Sequence, residues 1–196
     1  MRHHQYNPDF DFVKKPENFN KYTDKDFLQY CLGAILYTPG TKDFKDIILN
    51  NKFPGLTTVV LDFEDGIDGR DLAKAEDNVI EYLGLIAQKI TSQEVSKNKL
   101  PLILIRVRNI EQFKEFTARL DRKKINLLTG FELPKFNSDN GIRYLEHLKK
   151  LKEKFDEVLY ALPVLEDEKV AYKENRMDEL INLKKIISSY KKLVLN

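Results

Sequence analysis

One alternation runs through the chain. A short apolar run rich in β-branched and aromatic residues gives way to a loop, and the loop to a charged stretch with apolar residues at helical spacing. The apolar runs are GAILYTP (33–39), TTVVLDF (57–63), LPLILIRV (100–107), LLTGFELP (127–134) and EVLYALPVL (157–165). The helical stretches cover about 41–51, 71–91, 110–121, 139–155 and 174–190. In the last of these, Met177, Leu180, Ile181, Leu183, Ile186 and Ile187 fall near helical spacing. Thr23-Asp24-Lys25-Asp26 resembles a capping box that starts a short leading helix. SDNG (138–141) and TSQEVSKNK (91–99) read as helix starts or surface loops.

Strand followed by helix, repeated, means parallel strands joined by crossovers. The strands lack clean polar alternation, as in sheets covered on both faces. Two architectures satisfy this: an open doubly wound sheet and a (β/α)8 barrel. Five strand–helix units are present, and KKLVLN reads as the opening of a sixth strand. A complete barrel has eight units and about 250 residues. The expectation is a single α/β domain over 1–196 of TIM-barrel type, incomplete at five to six units, with 1–30 as an N-terminal extension. The open-sheet nucleotide-binding reading lacks a Gly-x-Gly-x-x-Gly or P-loop pattern.

Charge narrows the partners. The 196 residues carry 33 basic and 31 acidic side chains, a net charge of +2, and the two signs are mixed along the helices. Neither nucleic acid nor a membrane is expected as a partner, and no apolar run reaches membrane-spanning length. The start, MRHHQYNPDFDF, has no apolar core of the signal-peptide kind, and the single Cys31 has no internal disulfide partner, so a cytoplasmic setting is expected. Cys31 reads as a small packed residue. His3, His4 and His147 are too scattered for a zinc site.

Both architectures bind ligands at the carboxyl ends of their strands. Those ends read Tyr37-Thr38-Pro39-Gly40-Thr41; Asp62, Glu64 and Asp65; Arg106-Val107-Arg108-Asn109; Glu132-Leu133-Pro134-Lys135; and Pro163-Val164-Leu165-Glu166-Asp167. Carboxylates and cations thus meet on one rim. The mixture suits a hard divalent cation held by carboxylates, with Arg and Lys for an anionic substrate. A metal beside a keto-acid oxygen stabilises an enolate, as carbon–carbon cleavage or aldol addition requires. Arg106 and Arg108 share a face by strand alternation. Plainer roles exist for the same residues. Asp62 can pin its loop; Glu64, Asp65 and Asp68 can form a solvated turn before a helix; Glu166, Asp167 and Glu168 can start one; Thr38–Thr41 is first a turn and second an anion cradle.

The ordered set LYTPG (36–40), VVLDFEDGI (59–67) with Lys74 in the next helix, LIRVRN (104–109), GFELPKF (130–136) and LPVLED (162–167) resembles the citrate lyase beta-subunit and HpcH/HpaI aldolase superfamily of metal-dependent carbon–carbon lyases, within it a branch associated with tellurium- and stress-resistance gene clusters. The resemblance spans roughly residues 33–170. It implies a TIM-barrel lyase using Mg²⁺ on a small keto-acid or related carboxylate. By position, Glu166 matches the first Mg²⁺ ligand and Arg106 the arginine that holds the keto-acid carboxylate, with Arg108 at the following inward position. Glu64 and Asp65 match the acidic pair that supports the metal-water and substrate network, and Lys135 the lysine of a Pro-Lys pair. Pro39 and Gly40 fall in the substrate-facing turn.

Two departures accompany it. Many relatives begin strand one with an arginine for substrate or coenzyme A phosphate, where this chain has Gly33-Ala34-Ile35-Leu36, which counts against a coenzyme A thioester. The second Mg²⁺ ligand is an aspartate after strand six, and no such residue precedes Asn196. An incomplete barrel exposes strand edges, so a second copy or a partner chain is expected to close it. A catalytically silent binding or assembly module is the alternative reading.

Overall fold

The computed structural model describes residues 9, 11–13, 17–50 and 52–195. His3 and His4 lie outside the described residues. Five parallel strands carry the fold: β1 (Ile35–Pro39), β2 (Thr58–Asp62), β3 (Leu102–Arg106), β4 (Gly130–Leu133) and β5 (Tyr160–Pro163). They lie side by side in chain order, each paired in parallel with the next. A doubly wound sheet reverses its order at a switch point; this sheet does not, so it is the wall of a barrel. The KKLVLN segment adds a bridge at the far edge, where Ala161 N–H donates to Leu193 O (2.8 Å) and Leu195 N–H to Ala161 O (2.9 Å).

Alternation along the strands divides the two faces. Val59, Leu61, Ile103, Ile105, Phe131, Leu133 and Ala161 point outward into the main core. Over them lie α3 (Leu72–Thr91), α4 (Ile110–Ala118), α6 (Gly141–Phe155) and α8 (Lys173–Ser189). These helices contribute Val79, Leu83, Ile86, Phe113, Phe116, Leu145, Leu148 and Leu183 to the same cluster. Phe113 meets Phe131 with ring centroids 4.6 Å apart, and Phe63 meets Phe116 edge-on at 4.9 Å.

The even-numbered residues of β2, β3 and β4 face the concave side. The sheet is strongly curved: β1 and β4 are three strand spacings apart, about 14 Å in a flat sheet, yet Tyr37 of β1 hydrogen-bonds Glu132 of β4 across the hollow. At the amino ends of the strands, Phe19 and Leu28 pack on Leu102, Tyr160 and Leu195 in a second, smaller cluster. Residues 17–30 of the expected extension thus fold under the barrel wall, with α1 (Lys25–Leu28) capped by Asp24, one residue later than the capping-box reading placed it. Lys21, buried there, donates to Leu128 O at 3.0 Å and pairs with Glu157 at 3.0 Å.

Other boundaries shift for local reasons. The 110–121 stretch divides after Ala118, because Asp121 caps a separate turn, α5 (Arg122–Ile125), by accepting from Lys124 N–H. The 41–51 stretch contracts to α2 (Lys45–Ile48) after a turn in which Lys42 N–H donates to Pro39 O. A further turn, α7 (Glu168–Ala171), capped by Asp167, precedes α8. Cys31 is half-buried beside the second cluster, and burial pushes its thiol above its ordinary pKa, in keeping with a packing role. His147 on α6 packs edge-on against Phe113 with Nε2 2.9 Å from Thr117 Oγ1; burial, with Lys114 and Lys150 nearby, lowers it to about 4.

Burial lowers the Lys21 ammonium from 10.5 to about 8, against the pull of Glu157 and with Lys97 adding to the lowering. Between those values the unfolded chain binds more protons at this position than the folded one, so its contribution to stability rises with pH. Urea unfolding at about pH 7.5 and about pH 9.5 should therefore show the wild-type protein gaining on the order of 1 kcal/mol relative to Lys21→Met. A pH-independent difference between the two would contradict this placement of Lys21.

Candidate active site

β2 ends where its inward face reaches the rim, and Asp62 is the residue that arrives there. It is 2 % exposed. Oδ1 accepts from Glu64 N–H (2.8 Å) and Oδ2 from Gly66 N–H (2.8 Å), which winds the following loop back over the carboxylate. A Cβ on Gly66 would stand 2.5 Å from Asp62 Oδ2, so only glycine fits that approach. Asp62 also receives a two-pronged bond from Arg106, in register on β3: Nε to Oδ1 and Nη2 to Oδ2, both 2.7 Å. Burial alone would raise the Asp62 carboxyl; the Arg106 guanidinium and the two N–H donors outweigh it and hold the group below its ordinary pKa. Arg106 is correspondingly raised, chiefly by its bonds to Asp62.

The remaining Arg106 nitrogen, Nη1, lies 3.3 Å from both Glu64 Oε2 and Asp65 Oδ2. Asp65 is largely exposed, whereas Glu64 is buried. Glu64 Oε1 receives Lys135 Nζ. Glu64 Oε2, although close to Arg106, accepts no hydrogen bond from the described residues.

Next in register on β4 stands Glu132, also 2 % exposed. Tyr37 Oη donates to its two carboxylate oxygens at 2.9 and 3.0 Å, and the Arg106 guanidinium sits 5.2 Å from the centre of the Tyr37 ring. Burial raises Glu132, with Asp62 and Glu166 adding to the rise and Tyr37 and Arg106 opposing it. Burial and Glu132 together raise the Tyr37 phenol.

The loops after β4 and β5 hold each other. Lys135 occupies the left-handed backbone region (φ 47°), its N–H 3.3 Å from Glu166 Oε1 and its carbonyl accepting from Asn140 Nδ2 at 2.9 Å. Asn137 Nδ2 donates to Asp167 Oδ2 (2.8 Å). Buried Glu179 of α8 accepts from Ser138 N–H and Oγ at 2.6 and 2.7 Å. Among the described residues, no three His, Cys, Asp or Glu side chains gather as a metal cage, and no helix is long and apolar enough to cross a membrane.

A family model described as C-C_Bond_Lyase of the TIM-Barrel fold matches residues 26–196. The chain belongs to this family of carbon–carbon bond lyases. No curated protein matches it.

In this lyase-family chain the sequence-derived site residues divide into two groups. Arg106, Glu64, Asp65 and Lys135 form one contiguous network, and the Lys135 backbone links it to Glu166. Arg108 does not share the Arg106 position. β3 ends at Arg106, Val107 still turns into the outward core, and Arg108 lies in the bend before α4 with Nη1 3.4 Å from Phe63 O. Gly40 sits in the turn after β1. Its N–H donates to Asp62 O (2.9 Å), its carbonyl accepts from Asn78, and a Cβ there would meet the Phe63 ring at 2.9 Å, so it serves close packing beside Pro39. Pro39 itself is in register with Asp62. Asp68 belongs to the turn, capping a short helical turn at Gly69–Asp71 and bonding Arg70.

Tyr37 and Glu132 were visible in the sequence as strand-end residues but had no assigned role. Their pairing depends on the curvature of the sheet, which periodicity does not encode. The available signal was Glu132 itself, an acid at an inward position of an otherwise apolar strand.

Replacing the Asp62 carboxylate by an amide leaves Arg106 without its charged partner in a largely buried setting and one of the two loop N–H donors without an acceptor. Asp62→Asn should lower stability by about 3–5 kcal/mol, measured by urea unfolding near neutral pH. Because the folded Asp62 pKa is depressed, this contribution is present above the unfolded value of 3.8 and fades as pH falls through the folded one. The two proteins should therefore converge in strong acid.

Proposed function

We propose that the chain is a Mg²⁺-dependent lyase or aldolase of the citrate lyase beta-subunit and HpcH/HpaI kind, in the branch associated with tellurium- and stress-resistance gene clusters, acting on a small keto-acid or related carboxylate. The observation that carries this reading is the rim on the concave face. Five carboxylates (Asp62, Glu64, Asp65, Glu132, Glu166) accompany two cations, Arg106 and Lys135, at the strand ends. Ligands of barrel enzymes bind at this end of the strands.

The donor set fits a hard cation. Carboxylate oxygens outnumber the cations, Glu64 Oε2 is buried without a hydrogen-bond donor among the described residues, and Glu166 is exposed at the rim. Mg²⁺ needs only one or two protein carboxylates, the rest of its shell being water and substrate. Glu166 is the direct ligand in this reading, and Glu64 and Asp65 orient the surrounding water. When bound, Mg²⁺ supplies Lewis acidity that lowers the energy of an enolate oxygen.

The chain's own residues bind and orient the substrate. With its Nε and Nη2 committed to Asp62, Arg106 offers Nη1, and a substrate carboxylate takes the place of exposed Asp65 there. Lys135 Nζ, on an exposed side chain, adds a second positive charge to the same region. A coenzyme A thioester has no arginine on strand one to meet it, so a free acid is the favoured substrate.

Mg²⁺-dependent cleavage or condensation with a panel of keto-acids tests the reading. Glu166→Gln should lower turnover by about 100-fold or more, and Arg106→Ala should raise KM as well as lower kcat. Arg106→Lys, which keeps the charge opposite Asp62 but not the two-pronged geometry, separates binding from folding. Turnover unchanged in Glu166→Gln and in both Arg106 variants would sink the residue assignment.

A further inference from the structure

The pair formed by Tyr37 and Glu132 has no part in the binding scheme above, yet it stands on the same rim beside Arg106. Glu132 is 2 % exposed and Tyr37 45 %. The Tyr37 side chain is thus open to solvent on the concave side, and its Oη reaches the buried carboxylate through hydrogen bonds of 2.9 and 3.0 Å. Among the described residues Glu132 makes no salt bridge, unlike Asp62 and Glu64, which are paired with Arg106 and Lys135. The Arg106 guanidinium beside the ring fixes its orientation.

We propose that Tyr37 and Glu132 are the proton relay of the site, Tyr37 exchanging a proton with a β-hydroxy acid and Glu132 storing it. The proposal rests on the lyase reading given above. Cleavage of a β-hydroxy keto-acid or β-hydroxy carboxylate breaks the hydroxyl O–H bond and the Cα–Cβ bond. A carbonyl forms on the β side, and the electron pair of the broken C–C bond passes into an enolate. The hydroxyl proton moves to Tyr37 Oη as the phenol proton moves to Glu132. The enolate carbon then takes a proton from Tyr37, which recovers one from Glu132. The proton lost by oxygen is the one gained by carbon, so one carboxyl closes the cycle without an outside acid or base, and condensation runs the same steps in reverse.

The surroundings suit the task. A base that must first accept and then return a proton works best with a pKa moved toward the working pH, and burial moves Glu132 in that direction. The charged and titratable groups facing it are Tyr37 from β1, Asp62 from β2, Arg106 from β3 and Glu166 after β5. The raised phenol stays protonated near neutrality, which lets it pass protons without resting as phenolate.

The test uses the full chain with Mg²⁺ and a panel of small keto-acids, pyruvate among them, in D2O. Cα–H exchange is followed by NMR and cleavage by product formation. Tyr37→Phe and Glu132→Gln should each lower exchange and kcat by about 100-fold or more with KM within about twofold. A spectroscopic readout is independent of turnover: ultraviolet difference titration against Tyr37→Phe should place Tyr37 ionisation at lower pH in Glu132→Gln than in the wild-type background. Wild-type turnover with Tyr37→Phe retaining it within about threefold overturns the relay alone, as does a Tyr37 titration indifferent to Glu132→Gln. Absence of turnover and exchange in the wild-type protein overturns the lyase reading and the relay's role with it.

Discussion

Four hydrogen bonds converge on Asp62, two from the Arg106 guanidinium and two from the N–H groups of Glu64 and Gly66. The pair joins neighbouring strands at their carboxyl ends, and the loop bonds fix the path of the chain beyond β2. Everything else at the rim is arranged around it. Arg106, held on one edge, turns its other nitrogen toward Glu64 and Asp65 and its flat face toward Tyr37. Burying such a pair carries a desolvation cost that only good geometry offsets. Here the two-pronged match and the loop donors provide it.

The two faces of the sheet perform different work. The outward face is apolar apart from Thr38 and packs on helices, which supplies the cohesion of the barrel wall. The inward face is apolar only lower down, where Leu102 and Tyr160 meet the folded-under N-terminal segment, and becomes charged in the last layer. A charged layer inside a barrel is tolerated because its members pair with one another across the curve, Tyr37 with Glu132 and Lys135 with Glu64.

Much of this was legible beforehand. The alternation of apolar runs and helical stretches located all five strands within a few residues, and the strand ends placed Asp62, Arg106, Glu132 and Glu166 on one rim. Parallel pairing also follows from the alternation, but the choice between an open sheet and a barrel needed the observed strand order. Arg108 shows where pattern reading stops. Alternation is valid only while the chain remains a strand, and β3 ends two residues earlier. Gly40 shows another limit: a glycine in a turn does not by itself reveal the aromatic ring that it packs against. Cross-strand partners three strands apart depend on curvature, which no local pattern records.

The wrapping of the 63–66 segment around Asp62 has a thermodynamic consequence. Ordering a flexible residue costs roughly 1–2 kcal/mol, and a loop that becomes ordered only with its ligand subtracts that cost from affinity. Here the ordering is complete before any ligand arrives, because the carboxylate that the loop closes on is part of the strand itself. The acidic turn after β2 is thus wound in advance, and the freedom to rearrange at this rim lies with its most exposed carboxylate, Asp65, and with the exposed side chain of Lys135.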